Sequence, residues 1–212
     1  MESTLLESAN THSKLAARLR QLRTARGLTL DGLADRAGVS RSMISLIERE
    51  ESSPTAAVLD RLAAGLGVTL ASLFADEQRP DASPVARRAD QTTWRDPETG
   101  YVRRNLSPAS FPSPIELVEV VLPAGARVSY DSVRPSRVAP ISQQIYLLEG
   151  AVELTIADVT HQLDAGDCLA MRLDAPISFR NPAATDARYL VALTAEGASP
   201  ALGVSIPRGN AP

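Results

Sequence analysis

The segment from Ala37 to Thr55, AGVSRSMISLIEREESSPT, limits what this chain can fold into more than any other stretch. Gly38 punctuates a turn, and Val39 supplies an apolar anchor directly after it. Ser40 is a strong N-cap, because its hydroxyl can accept from the free backbone N–H groups of a first helical turn. Ile44 and Ile47 stand three apart and share a face toward a core. Arg41, Ser42, Ser45 and Leu46 then fall on the other side. A short helix that opens on an arginine beside small polar residues suits the major groove of a duplex, where residues near the N-terminus reach base edges. The same pattern fits a surface helix that only packs, so the neighbouring segments have to separate the two readings.

Those neighbours are helical. From Ser13, Leu15, Leu19 and Leu22 share one face of an amphipathic helix, with Arg18, Arg20, Arg23 and Arg26 around the rest. Gly27 is the expected stop. Thr29 caps a second short helix with Leu33, Ala34 and Ala37 inward. Beyond the central segment, Ser53-Pro54 reads as a cap followed by proline at the first helical position. Leu59, Leu62, Ala63 and Leu66 mark a fourth helix closed by Gly67, and Thr69 caps a last turn ending at Leu73-Phe74. Five short helices, two of them joined by a tight Gly-containing turn, are therefore expected between Ser13 and Ala75.

The pieces LRQLRTARGLTLDGLA, AGVSRSMISLIERE, SSPT and LAAGLGVTLASLF resemble the helix-turn-helix domain of Cro and lambda-type repressors, the XRE family. The resemblance implies that the third helix is a recognition helix. Its base contacts come from Arg41, Ser42, Ser45 and Leu46, with Thr29 and Arg49 beside them as further DNA-binding positions. It also implies an internal ion pair between Arg23 of the first helix and Glu48 of the third. Three positions depart from the family pattern. Glu50 stands where Gly or Asn usually tolerates a left-handed turn, Leu30 where a Gln often touches phosphate, and Leu46 where a polar base-facing residue is common.

Charge and aromatic content divide the chain. Residues 11–75 carry nine Lys and Arg against six Asp and Glu, a balance of +3, whereas residues 98–196 carry eight against twelve, a balance of −4. The helical part is thus the basic part of a chain whose net charge is −3, which fits a nucleic-acid partner for that part only. Phe74 is the sole aromatic residue before Trp94, and all four tyrosines follow it. No apolar run approaches the ~20 residues of a membrane span, and residues 1–12 lack the basic run of a signal peptide. One cysteine, Cys168, rules out an intrachain disulfide and fits a cytoplasmic location. It reads as a small buried hydrophobe.

After a stretch at 76–97 that mixes prolines, charges and small residues, the texture changes to short β-like runs. Candidate strands are Ile115–Leu122, Gln143–Leu148, Ala151–Ile156, Cys168–Arg172, Ile177–Phe179 and Tyr189–Leu193, separated by Gly-, Asp- and Pro-containing turns. This spacing suggests an antiparallel sandwich or barrel. LPAGARV, QQIYLLEGAVEL, LDAGDCLAMRLDAPISFRN and ARYLVAL resemble the motifs of a cupin, a small jelly-roll barrel. Many cupins hold a metal with two His and a Glu from the first motif and a His from the second. Here the Glu position falls at Gln143, the paired His positions at Ser136 and Val138 or at Arg137 and Ala139, and the last His at Ile177. None is a ligand of that kind, and His12 and His161 cannot rebuild such a site. No metal or other cofactor is expected. The barrel interior can hold one small ligand. Gln143 faces it from its place in the motif, Ile145 and Leu147 by strand alternation, and Tyr130, Arg134, Arg137, Arg172 and Phe179 can line the mouth. An arginine fork there suits a carboxylate or sulfonate.

The resulting expectation is a multi-domain α + β chain. It has a disordered arm at 1–12, an all-α five-helix helix-turn-helix domain at 13–75, a linker at 76–97, an all-β cupin-like sensor and dimerisation domain at 98–196, and a tail at 197–212. By resemblance it is a one-component, non-enzymatic regulator that binds palindromic operator DNA as a homodimer and answers to a small effector, an organic anion. Two alternatives stay open: a cupin isomerase or oxygenase with a DNA-binding appendage, and a cupin that only dimerises.

Overall fold

The computed structural model describes residues 2–75, 81–131 and 141–195. The expectations placed on Arg134, Ser136, Arg137, Val138, Ala139 and the tail lie outside those residues. The first helix, α1 (Glu2–Ala25), starts well before Ser13 and takes in most of the stretch expected to be an arm. Leu15, Leu19 and Leu22 are its buried stripe. α2 (Leu30–Ala37) opens on Thr29, whose hydroxyl accepts from the Gly32 N–H at 3.0 Å, and ends on Gly38 in the left-handed conformation. α3 (Arg41–Glu48) opens on Ser40, whose hydroxyl accepts from the Met43 N–H at 3.2 Å. α4 spans Ala56–Leu66. Its cap is Thr55 rather than Ser53, because the Ser53 hydroxyl instead meets the His12 ring at 3.2 Å. The fifth expected helix is a single 3-10 turn at Ala71–Phe74.

Glu50, after α3, takes φ 64°. For a side chain with a Cβ that conformation costs about 1–2 kcal/mol. The Ser13 hydroxyl donates to the Glu50 carboxylate at 3.0 Å, an exposed bond that offsets only part of this cost.

The described residues then form ten strands: β1 (Thr93–Arg95), β2 (Val102–Asn105), β3 (Ile115–Leu122), β4 (Arg127–Tyr130), β5 (Ile141–Glu149), β6 (Ala151–Ile156), β7 (Val159–Asp164), β8 (Cys168–Arg172), β9 (Ile177–Arg180) and β10 (Ala187–Ala195). They form two antiparallel sheets, ordered β1-β2-β3-β10-β5-β8 and β4-β9-β6-β7. Their inner faces share a core of Val118, Val120, Ile145, Leu147, Leu154 and Val191. The region read as a linker thus contributes a strand, β1, and a buried tryptophan, Trp94. Cys168 is exposed on the outer face of β8, not buried, because its strand turns Leu169 inward.

The helical and β parts are joined by a polar and aromatic seam. The Ala56 N–H at the start of α4 donates to Asp96 Oδ2 at 3.0 Å, and Asp96 is 2% exposed. The hydroxyls of Thr69 and Ser72 donate to the two oxygens of Glu116 at 2.5 and 2.9 Å. The rings of Phe74 and Trp94 pack with centroids 5.9 Å apart. α4 is therefore fixed from both sides, by the helices and by the barrel.

The α2–α4 contact is close enough to exclude a methyl group. A Cβ on Gly65 would sit 2.9 Å from the Ala37 Cβ and 3.1 Å from its backbone. Alanine gains about 1 kcal/mol of helix propensity, but overpacking against backbone costs about 1–3 kcal/mol. We expect Gly65→Ala to lower stability by about 1 kcal/mol in urea titrations. A stabilised variant would show that the two helices have room to separate.

Candidate functional site

The exposed side of α3 carries Arg41 and Ser42 in its first turn, with Ser45 and Leu46 half-buried beside them and Arg49 exposed just past its end. Ile44 and Ile47 fill the core behind. Arg41 Nε lies 3.3 Å from Asp31 Oδ1 of α2, with both side chains well exposed, at 62% and 72%. A pair so exposed contributes little, so the guanidinium can exchange Asp31 for another acceptor. Arg49 pairs in the same loose manner with Glu51, at 3.0 Å. The Ser42 hydroxyl rests 3.1 Å from that of Ser40. Thr29 is exposed next to this surface and caps α2.

What holds α3 at this angle is a two-pronged pair behind it. Arg23 of α1 donates from Nε to Glu48 Oε1 at 2.7 Å and from Nη2 to Oε2 at 2.8 Å, while its Nη1 donates to the Leu28 carbonyl at 2.8 Å. The side chains are 13% and 7% exposed. The hydrogen bonds to Glu48 raise the Arg23 pKa, against burial, which lowers it. The pair ties the first helix to the end of the third.

A second site lies where the helical domain meets the barrel. A cavity of about 60 Å³ is lined by Asp60, Thr69 and Leu70 from the helical side and by barrel residues that include Arg103, Gln143 and Phe179. Tyr130 and Tyr189 flank Phe179: the Tyr189 ring is stacked on it, with centroids 5.7 Å apart, and the Tyr130 ring meets it edge-on at 6.0 Å. Burial, followed by the neighbouring phenol of Tyr101, pushes the pKa of both hydroxyls well above the ordinary tyrosine value. Both remain donors at neutral pH.

Of the barrel residues chosen from sequence, Gln143, Tyr130 and Phe179 line this cavity, and Arg172 does not. Arg172 lies opposite Ser142 on the exposed outer face of β8, one residue out of phase with the inward Met171. Arg137 lies outside the described residues. Sequence reasoning missed Arg103, buried on β2 among polar neighbours. It also missed Asp96, in a region without periodicity. The cupin metal positions that are described, Gln143 and Ile177, place an amide and an alkyl group in the cavity wall. That donor set does not fit a metal. No group of three or more His, Cys, Asp or Glu is placed to hold one among the described residues.

Residues 19–73 match the Helix-turn-helix family designated HTH_3. Those residues form an XRE-type helix-turn-helix domain, and the chain is a DNA-binding transcriptional regulator. The HTH-type transcriptional regulator SutR of Escherichia coli K12 is 28% identical over 167 residues, covering 79% of this regulator and 86% of SutR. The HTH-type transcriptional regulator PuuR of the same organism is 27% identical over 183 residues, covering 84% and 92%. The crystal structure of an HTH_3 family transcriptional regulator from Vibrio cholerae superposes with a TM-score of 0.68 at 26% identity, over 88% of this regulator and 97% of that chain. The likeness therefore runs through both domains and across the seam. No helix among the described residues of the regulator is long and apolar enough to cross a membrane.

The Arg23–Glu48 geometry yields a double-mutant test. Removing one partner strands a mostly buried charge, at a cost of about 3 kcal/mol. Arg23→Met with Glu48→Leu together should be less harmful than either change alone. Additive single effects in thermal melts would show that the pair is not coupled in solution.

Proposed function

We propose that the regulator acts as a cytoplasmic homodimer on a palindromic operator, with α3 of each protomer in a major groove. The observation that carries this reading is the first turn of α3. There Arg41 and Ser42 stand exposed on a helix whose other face is buried and whose end is clamped by Arg23. From that position Arg41 can offer a guanidinium fork to guanine O6 and N7, and the half-exposed Leu46 can meet a thymine methyl. Ser42 and Ser45 complete the base-facing surface, with Thr29 and Arg49 toward phosphate. A single helical domain of this size touches too few base pairs for a tight site, so two copies on a two-fold axis are needed. The barrel supplies the pairing and holds an effector, a small organic anion near Gln143, without metal. No catalytic role is assigned to it.

Duplexes selected from a random pool by the full chain should enrich a palindrome with half-site centres about 10 bp apart or somewhat more. Arg41→Ala should bind the enriched duplex about 1–3 kcal/mol more weakly and lose preference at one position per half-site. An unchanged selection profile would remove Arg41 from base reading. Sedimentation of the full chain should give the mass of a dimer, and a monomer at micromolar concentration would contradict the two-fold arrangement.

A further inference from the structure

β2 carries two consecutive arginines that face opposite ways. Arg104 points to the outer surface and pairs with Glu119 of β3, its register neighbour. Glu119 also accepts from Arg188 of β10 at 3.0 Å. Burial would raise the Glu119 pKa, but the two guanidinium groups outweigh it and hold the carboxyl below its ordinary value. The outer arginine thus has a carboxylate partner. Arg103 points inward, is 5% exposed, and lines the cavity at the seam. Its Nε and Nη2 are enclosed and have no hydrogen-bond partner among the described residues. None of the ion pairs among those residues includes it.

A buried guanidinium edge without acceptors is costly, because it has left water for nothing in return. The unused edge has a definite shape. Nε and Nη2 are the same two donors with which Arg23 grips both oxygens of Glu48 elsewhere in this chain. Parallel donors of that kind match a carboxylate. The rest of the wall suits a short organic tail: the Phe179 and Tyr189 rings, Leu193, and the amide of Gln143. The cavity of about 60 Å³ holds roughly four or five water-sized groups. Sites for drug-sized ligands are several-fold larger.

We infer that Arg103 is the anchor of a site for a short-chain carboxylate, gripped through Nε and Nη2 in the cavity between α4 and the barrel. The inference rests on the reading of the barrel as an effector chamber and names the ligand class and the residue that selects it. Asp60, Thr69 and Leu70 close the cavity from the helical side.

The test is thermal unfolding of the full chain in acetate or propionate, against chloride at equal ionic strength and against neutral acetamide. The carboxylates should raise the midpoint of the parent by about 2–4 °C at concentrations well above Kd, and acetamide should not. Arg103→Met should unfold at or above the parent temperature without carboxylate, because an uncompensated charge has been removed, and should lose the acetate response. Arg103→Lys, which keeps the charge without the fork, should lose most of it. The inference is overturned if acetamide acts like acetate, if either variant responds like the parent, or if Arg103→Met fails to fold. That last result would make the guanidinium a structural requirement. Binding of a selected operator in the same buffers separates the two levels. Carboxylate stabilisation with unchanged operator affinity keeps the Arg103 site and removes the effector role.

Discussion

The bond from the Ala56 N–H to the buried Asp96 carboxylate organises this molecule. A helix N-terminus presents unsatisfied donors and a partial positive charge, so a carboxylate there is favourable twice over. In this chain the carboxylate comes from the β domain and the helix from the DNA-binding domain. Glu116 repeats the arrangement, accepting from Thr69 and Ser72 on the way into the 3-10 turn, and the Phe74–Trp94 contact removes water between the two. Instead of hanging from a flexible linker, the DNA-binding domain lends its fourth helix to the barrel's wall. One consequence is that the cavity has a floor of barrel residues and a lid of helical ones. Asp60 of α4 is part of that lid, and α4 in turn packs on α2 through the tight Gly65–Ala37 contact.

Support from outside the element also governs α3. Eight residues are too few to be helical alone. α3 persists because Ser40 caps its start, Ile44 and Ile47 are buried, and Glu48 at its last turn is gripped by Arg23. The strained Glu50 that follows shows the remaining cost of turning the chain there without glycine. The exposed side chains of its first turn are lightly held, with Arg41 in an exposed pair only. Rigid backbone and loosely held tips suit a surface that must exchange one set of partners for another.

Much of this architecture is legible in the amino-acid order, and the failures have physical causes. Serine and threonine caps, glycine stops and the leucine stripe of α1 are local signals, and they place α2, α3 and the end of α1, but not its start at Glu2. The cap of α4 lies two residues beyond the expected Ser53 because Ser53 is engaged by His12, a contact 41 positions away. Ile145 and Leu147 follow from strict alternation on β5, which is buried on one face. β2 and β7 give no such signal. The inward residue of VRRN is itself an arginine, and in VTHQLD only Leu163 is buried. Arg172 follows an apolar run, which suggests an inward place, but β8 has its alternation in the opposite phase. Asp96 cannot be found by pattern at all, since its role is defined by a helix 40 residues earlier. The ion pair between Arg23 and Glu48 needs the family resemblance for the same reason.

The claim on which the rest depends is that the exposed face of α3 reads sequence in duplex DNA. The direct measurement is fluorescence anisotropy of the full chain on its selected duplex and on a scrambled duplex of equal length and composition, at about 0.15 M salt. A sequence-reading regulator should bind the selected duplex at least about 10³-fold more tightly. Equal affinities, both falling together as salt rises, would mean that the protein reads phosphate charge alone, and would contradict base recognition by α3.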